Sequence, residues 1–254
     1  MLEAVQLTKR YSAIPAVQNL SFTLRPGQVL GCLGPNGSGK STTVKMLTGL
    51  LEPSQGVVRF NGGNIRDDLM GYRRLLGYVP EEAHLYPYLS GWEYLEMIAI
   101  LRGIAAAEIK RKLDSLLELF SLHPHRHASI ATYSKGMRQR ILLIAALMHN
   151  PKIFIFDEPL SGLDVTSALI FKNLVQELGR KGKLVFYCSH VLEVVEKVCT
   201  DVLILRKGVV IAQDSVAKIG QIIGQSLENT FLHLVDDVDT ASVAREVVEV
   251  MGAA

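Results

Sequence analysis

The chain has 254 residues, with 27 Lys and Arg against 25 Asp and Glu and a formal net charge of +2. That length can bury a sizeable core in one or two domains, and a hydrophobic share of 48% against 20% charged excludes a disordered chain. Lys and Arg fall in scattered pairs such as Arg73-Arg74 and Arg206-Lys207, which argues against a dedicated nucleic-acid binder with its basic excess or stripe.

In chain order, β-branched runs at 4–8 and 20–24 come first, with Pro26-Gly27 as a turn, and Val29–Leu33 follows as a wholly apolar strand. A helix-compatible stretch over 40–48 stops at Gly49, and a strand over 57–60 runs into the Asn61-Gly62 turn. These early strands predict a small antiparallel sheet beside a larger one. Residues 75–79, 153–156, 184–188 and 202–205 read as further strands, several apolar on both faces as a covered parallel sheet requires. Between 91 and 149 the strand signal gives way to helix. Ile109, Leu113, Leu116, Leu117 and Phe120 recur at steps of three and four and mark one helical face. A helix runs through 141–148, and the last thirty residues read as a helical appendage. The expected fold is α/β, with an inserted helical part at about 82–149.

The longest apolar run of the helical part, 141–148, stops at eight residues, well short of the about 18 a membrane span needs. Residues 1–10 alternate apolar and polar, which is not a secretory signal. Cys32, Cys188 and Cys199 form no Cys-x-x-Cys pair and read as buried thiols of a reducing cytoplasm. His123, His125 and His127 share a segment with Pro124 and Arg126, which favours a solvated loop over a metal cluster.

Chemistry concentrates after the strand Val29–Leu33. Gly34, Pro35, Asn36, Gly37, Ser38, Gly39, Lys40 and Ser41 fit the phosphate-loop pattern Gly-x4-Gly-Lys-Ser/Thr, followed by Thr42 at the start of a helix. Glycines let successive backbone N–H groups converge on phosphate oxygens, and the helix start adds a favourable dipole. Lys40 would reach the β- and γ-phosphates and Ser41 would ligate Mg²⁺, so a nucleoside triphosphate is the expected ligand. The strand 153–156 delivers Asp157 and Glu158 at its C-terminal end, where ligands bind in open α/β sheets. Asp157 suits a metal held through water, and Glu158 suits orienting or deprotonating the attacking water.

One further segment, Tyr133-Ser134-Lys135-Gly136-Met137, resembles the Leu-Ser-Gly-Gly-Gln signature of the ATP-binding cassette family, keeping Ser134 and Gly136. Ser134 suits a helix N-cap, and Gly136 permits close approach to an anion. The resemblance covers nearly the whole chain. It implies a P-loop NTPase (RecA-like) core with a mainly parallel sheet, an N-terminal antiparallel β subdomain and an inserted helical subdomain. Residues 1–220 would be the ATPase domain and 221–254 a short extension. It implies ATP and Mg²⁺ as ligands, and a head-to-tail dimer in which the phosphate loop of one copy and the signature of the other enclose each nucleotide. Asp164, in Ser161-Gly162-Leu163-Asp164, matches the loop at that interface, and could equally cap the next helix. His190 matches a histidine that contacts the γ-phosphate. Tyr11 stands where the family stacks an aromatic on adenine, or else is a packed tyrosine at a strand end. Glu81 occupies the place of a glutamine that serves Mg²⁺ and water; glutamate keeps an oxygen, adds a charge and loses the amide donor.

Glu81, the altered signature and residues 226–232 together look like the exporter-type branch, whose ATPases often serve separately encoded membrane subunits. The aromatic stretch from Tyr86 to Tyr94 lies where the family contacts such a subunit. The expectation is therefore an ATPase at the cytoplasmic face of a membrane, powering export through membrane partners and binding no nucleic acid. The alternatives are a soluble cassette ATPase acting on ribosomes or DNA, which lacks support in the absent basic stripe and second cassette, and a regulatory module that binds ATP without turnover.

Overall fold

The computed structural model describes residues 1–222 together with residues 245, 249 and 251. Strands β1 (Leu2–Arg10) and β2 (Pro15–Leu24) form a hairpin, and β3 (Val29–Leu33) leads into α1 (Lys40–Leu47). Then come β4 (Gln55–Phe60), β5 (Gly63–Asn64), α2 (Leu69–Arg74) and β6 (Leu76–Val79). Helices α3 (Gly91–Leu101), α4 (Ala106–Leu119) and α5 (Lys135–Leu147) are inserted before β7 (Ile153–Asp157). The chain continues through α6 (Val165–Arg180), β8 (Leu184–Ser189), α7 (Leu192–Val198), β9 (Asp201–Arg206), β10 (Val209–Ser215) and α8 (Val216–Ile222). The expected helical appendage and most of the extension 221–254 lie outside the described residues.

The strands form two sheets, a four-stranded one in the order β2-β1-β4-β5 and a six-stranded one in the order β10-β9-β3-β8-β7-β6. The first is antiparallel throughout. In the second, β3 pairs with β8 and β9, and β7 with β6 and β8, all in parallel; β10 alone runs antiparallel, on the edge. This is the expected α/β architecture, a P-loop NTPase core with an antiparallel sheet and a helical insertion.

Side-chain alternation explains why β3, β7 and β8 are buried along their whole length. Ile153 and Ile155 point into a core shared with the antiparallel sheet and α1, alongside Leu20, Phe22 and Met46. Phe154 and Phe156 point to the other face, against Phe171, Val175 and Val195 of α6 and α7. Phe22 stacks on Phe186 at 5.4 Å between centroids, and Phe156 meets Phe171 edge-on at 5.1 Å. A third core holds the insertion together, where Ile109, Leu113 and Leu117 of α4 meet Leu95 of α3 and Ile141 and Ile144 of α5.

Several boundaries differ from the sequence reading. Leu75 caps α2 with right-handed backbone, so β6 starts one residue later. Strand β10 gave no clear signal: it is an edge strand with no fully buried residue in its alternating pattern, although the Lys207-Gly208 turn before it is written in the sequence. All three cysteines are free and buried. His123–His125 forms one 3-10 turn, with His123 at 3.5 Å from Asp114 and His127 against Trp92, and no cluster of three or more His, Cys, Asp or Glu placed to hold a metal occurs among the described residues.

Candidate active site

The turn from β3 into α1 needs glycine where the backbone enters left-handed space. Gly37 and Gly39 have φ of 79° and 106°, conformations that strain residues bearing a Cβ. Gly39 also lacks room, because a Cβ there would lie 2.7 Å from the Ala16 carbonyl oxygen. The β9–β10 turn braces the loop from outside, with the Gly208 N–H donating to the Ser38 carbonyl at 3.0 Å. Inside the loop, Lys40 is 7% exposed and donates through Nζ to the carbonyls of Gly34 (2.7 Å) and Pro35 (3.1 Å). An ammonium thus sits in the curve of the loop. The Ser38 Oγ beside it is buried and has no hydrogen-bond partner among the described residues.

Above the loop lies a cavity of about 440 Å³. Asn36, Gly37, Gly39, Lys40, Ser41 and Thr42 line one side; Ala16, Glu81 and Glu158 line the other. Glu81 arrives from the segment after β6, one residue beyond Pro80.

Strand β7 ends on Asp157, which is 3% exposed and whose Oδ1 has no hydrogen-bond partner among the described residues. Burial, followed by the charge of Glu81, pushes its carboxyl up to about 6, against the opposing pull of the Ser41 hydroxyl that donates to it. A buried carboxylate oxygen without a donor, next to a hydroxyl and near a second carboxylate, is a set of hard oxygen ligands with surplus negative charge. Such a set fits Mg²⁺.

The next residue, Glu158, has a φ of 48°, a strained value that persists only where its surroundings fix it. Its N–H donates to the Cys188 carbonyl at 3.1 Å. Its Oε1 accepts from both the backbone N–H and the ring Nδ1 of His190, each at 2.8 Å. Because a carboxylate only accepts, this pairing puts a proton on Nδ1 of His190. The Ser189 hydroxyl lies 3.4 Å from the other oxygen, Oε2. Glu158 is largely buried and His190 is largely exposed.

The remaining sequence candidates sit elsewhere. Ser134 caps α5, its Oγ accepting from the Met137 N–H at 3.2 Å. Gly136 packs so closely on the following loop that a Cβ would lie 2.6 Å from the Gly162 carbonyl oxygen. Asp164 caps α6, accepting from the N–H and hydroxyl of Ser167 at 2.8 and 2.7 Å, and these bonds hold its carboxyl below the usual range. Tyr11 is 64% exposed in the turn between β1 and β2, with the Lys9 ammonium 5.7 Å from its ring centroid. None of Ser134, Gly136, Asp164 and Tyr11 lines the cavity over the phosphate loop.

Three contributors escaped the sequence reading. Ala16 carries no chemical signal. Gly208, in the turn between β9 and β10, was not singled out from the sequence. Gln139, 3% exposed, donates to the Pro159 carbonyl at 2.9 Å; a lone amide leading into the apolar run 141–148 was the available clue.

Comparison with known proteins agrees with this geometry. A family model described as ABC transporter matches residues 17–161, more than half of the chain. The ABC-type transporter ATP-binding protein EcsA of Bacillus subtilis (strain 168) is 32% identical over 237 residues, which cover 92% of this chain and 96% of EcsA. A solved structure described as the ATP binding subunit of an ABC transporter matches with a TM-score of 0.86 and 32% identity, over 92% of this chain and 99% of that one. The ATP-binding cassette MJ0796, solved as a dimer in a post-hydrolysis state bound to ADP and Pi, matches with a TM-score of 0.79 and 25% identity, over 85% of this chain and 99% of that one. With the phosphate loop, the fold and a family match in agreement, the chain belongs to the ABC transporter family, among its ATP-binding proteins.

Proposed function

We propose that this chain binds ATP with Mg²⁺ and hydrolyses it, and that two copies paired head-to-tail power transport through separate membrane subunits at the cytoplasmic face. The observation that carries the reading is the convergence on one cavity of the Lys40 loop, Glu81 and a Glu158 carboxylate held by His190, with the unpartnered Asp157 oxygen beside Ser41. Residues 1–220 act as the ATPase unit, with the helical part at about 82–149, and 221–254 are appended to it.

Lys40 exchanges its two neutral carbonyl acceptors for phosphate oxygens, whose negative charge adds the attraction of opposite charges to the hydrogen bond. Backbone N–H groups of residues 36–42, through the start of α1, hold the remaining phosphate oxygens. Ser41, Asp157 and Glu81 would hold Mg²⁺, which supplies neutralising charge to the phosphates when bound. Glu158 keeps Oε1 on His190 and offers Oε2 to the attacking water. As the water oxygen bonds to the γ-phosphorus and the bond to the ADP oxygen breaks, Glu158 takes the water proton. The exposed His190 ring, its Nδ1 occupied, presents its other nitrogen towards the γ-phosphate.

Ser134, Gly136 and Asp164 lie away from the chain's own cavity, which supports their serving the nucleotide of the second copy. Tyr11 would stack on adenine. Export is read from the signature Tyr133 to Met137, from Glu81 and from 226–232, all of which resemble the exporter-type branch.

Steady-state phosphate release tests the enzyme, with Lys40→Ala as blank. The wild type should turn over ATP and the variant should fall to background; equal rates would overturn the ATPase reading. Affinity capture from cell extract should recover an integral membrane protein, whereas ribosomes or DNA in its place would overturn the transport reading.

A further inference from the structure

Glu158 is the one residue at the site whose backbone is strained without being glycine, and the contact that steadies the next peptide comes from an unexpected direction. Gln139 lies in the first half of α5, five residues beyond the Ser134 cap, with its side chain almost wholly buried. Its Nε2 donates to the carbonyl of Pro159 at 2.9 Å in a buried hydrogen bond. Pro159 directly follows Glu158, so this hydrogen bond holds the Pro159–Leu160 peptide, one residue beyond the strained φ of 48° at Glu158. The peptide before Glu158 is fixed by the Glu158 N–H on the Cys188 carbonyl at 3.1 Å. The same two segments touch again where Gly136 meets the Gly162 carbonyl, with no space for a Cβ.

We infer that Gln139 is a positioning residue for Glu158: through the Pro159 carbonyl it ties the helix that starts at Ser134 to the carboxylate that faces the cavity. The inference rests on the reading of Glu158 above. The alternative is a glutamine that merely anchors α5 to the loop after β7. Two features favour positioning. The acceptor is the carbonyl of the residue directly after Glu158 rather than one in a sheet strand, and a buried donor lost here leaves that carbonyl unpaired next to a strained backbone. A shift of α5, where the Ser134 helix start would meet the second copy's nucleotide, is then passed to Glu158 of the same chain.

The test uses Gln139→Met, which keeps the side-chain length and removes the donor, with Gln139→Asn, which keeps the amide and shortens its reach. Both should lower kcat roughly 10- to 100-fold, as misplacement of a reacting group does, with ATP affinity within about twofold of wild type because no phosphate contact is touched. In a Glu158→Gln background, single-turnover rates should show no further loss from Gln139→Met, since both changes act through one group. Independently of activity, the amide proton of His190, which donates to Glu158 Oε1 at 2.8 Å, should shift in the NMR spectrum of Gln139→Met. An unchanged kcat, multiplicative losses in the double variant, or shifts confined to α5 with His190 unmoved would each overturn the inference. A wild type without turnover would overturn the ATPase reading instead, and the His190 amide would still decide whether Gln139 positions Glu158.

Discussion

Asp157 and His149 place opposite demands on the fold as pH changes. Asp157 has its carboxyl raised to about 6 by burial and by Glu81, so its ionised form costs stability above that pH and the cost disappears as pH falls towards the ordinary value near 3.8. His149 is lowered to about 4 by burial and by Arg102. It contributes stability above its ordinary 6.5, and that contribution is lost as pH falls towards 4. The Asp157 shift is worth about 3 kcal/mol at 1.36 kcal/mol per pKa unit, the His149 shift is worth less than its nominal size because solvent screens that partly exposed ring, and the two windows overlap, so in wild type they oppose one another. Asp157→Asn should therefore raise the stability of the nucleotide-free, metal-free protein at pH 7 by up to about 3 kcal/mol. It should also uncover a loss between pH 6.5 and pH 4 that wild type lacks. Urea denaturation at pH 7, 5.5 and 4 measures both, and a variant no more stable than wild type at pH 7 would remove burial as the cause. Mg²⁺ with nucleotide should narrow the difference at pH 7 by stabilising only the wild-type carboxylate.

Elements decide how these residues are presented. β3 and β7 end beside one another's ligands because parallel strands deliver their C-terminal ends to one edge, the phosphate loop after β3 and the two carboxylates after β7. Helix α5 reaches the same region from the insertion, and its fit on the 161–164 loop depends on Gly136 having no side chain. Gly136→Ala should cost about 1–3 kcal/mol through overpacking, because its Cβ would meet the Gly162 carbonyl at 2.6 Å. Thermal denaturation reads this directly, and an unaltered midpoint would mean the loop yields freely. Sequence periodicity served these elements unevenly. Strands buried on both faces stood out as unbroken apolar runs, whereas β10 carries a weaker alternation because an edge strand buries little. Helix caps Ser134 and Asp164 were readable because an N-cap is a local property of residue type. The close packing of Gly136 on Gly162 was not readable, since it depends on two segments brought together by the fold.

At the scale of the whole molecule, the phosphate loop and the Asp157-Glu158 pair were legible because each is a short contiguous motif at the end of an apolar strand. The Glu158–His190 hydrogen bonds, the Gln139–Pro159 bond and the unpartnered Asp157 oxygen were not, because each depends on segments that only the fold brings together. No helix among the described residues is long and apolar enough to cross a membrane, and Ser134 and Gly136 stand apart from the cavity they resemble parts of. A net charge of +2 sets no partner by itself, since in the function proposed above the anion is met by Lys40 and local backbone amides. The measurement that bears most directly on the central claim is ATP turnover and association state of Glu158→Gln. The account predicts a fall in phosphate release of roughly 10²- to 10⁴-fold, with ATP affinity retained and an ATP-dependent dimer visible by light scattering. Undiminished hydrolysis, or a variant that stays monomeric with ATP bound, would contradict it.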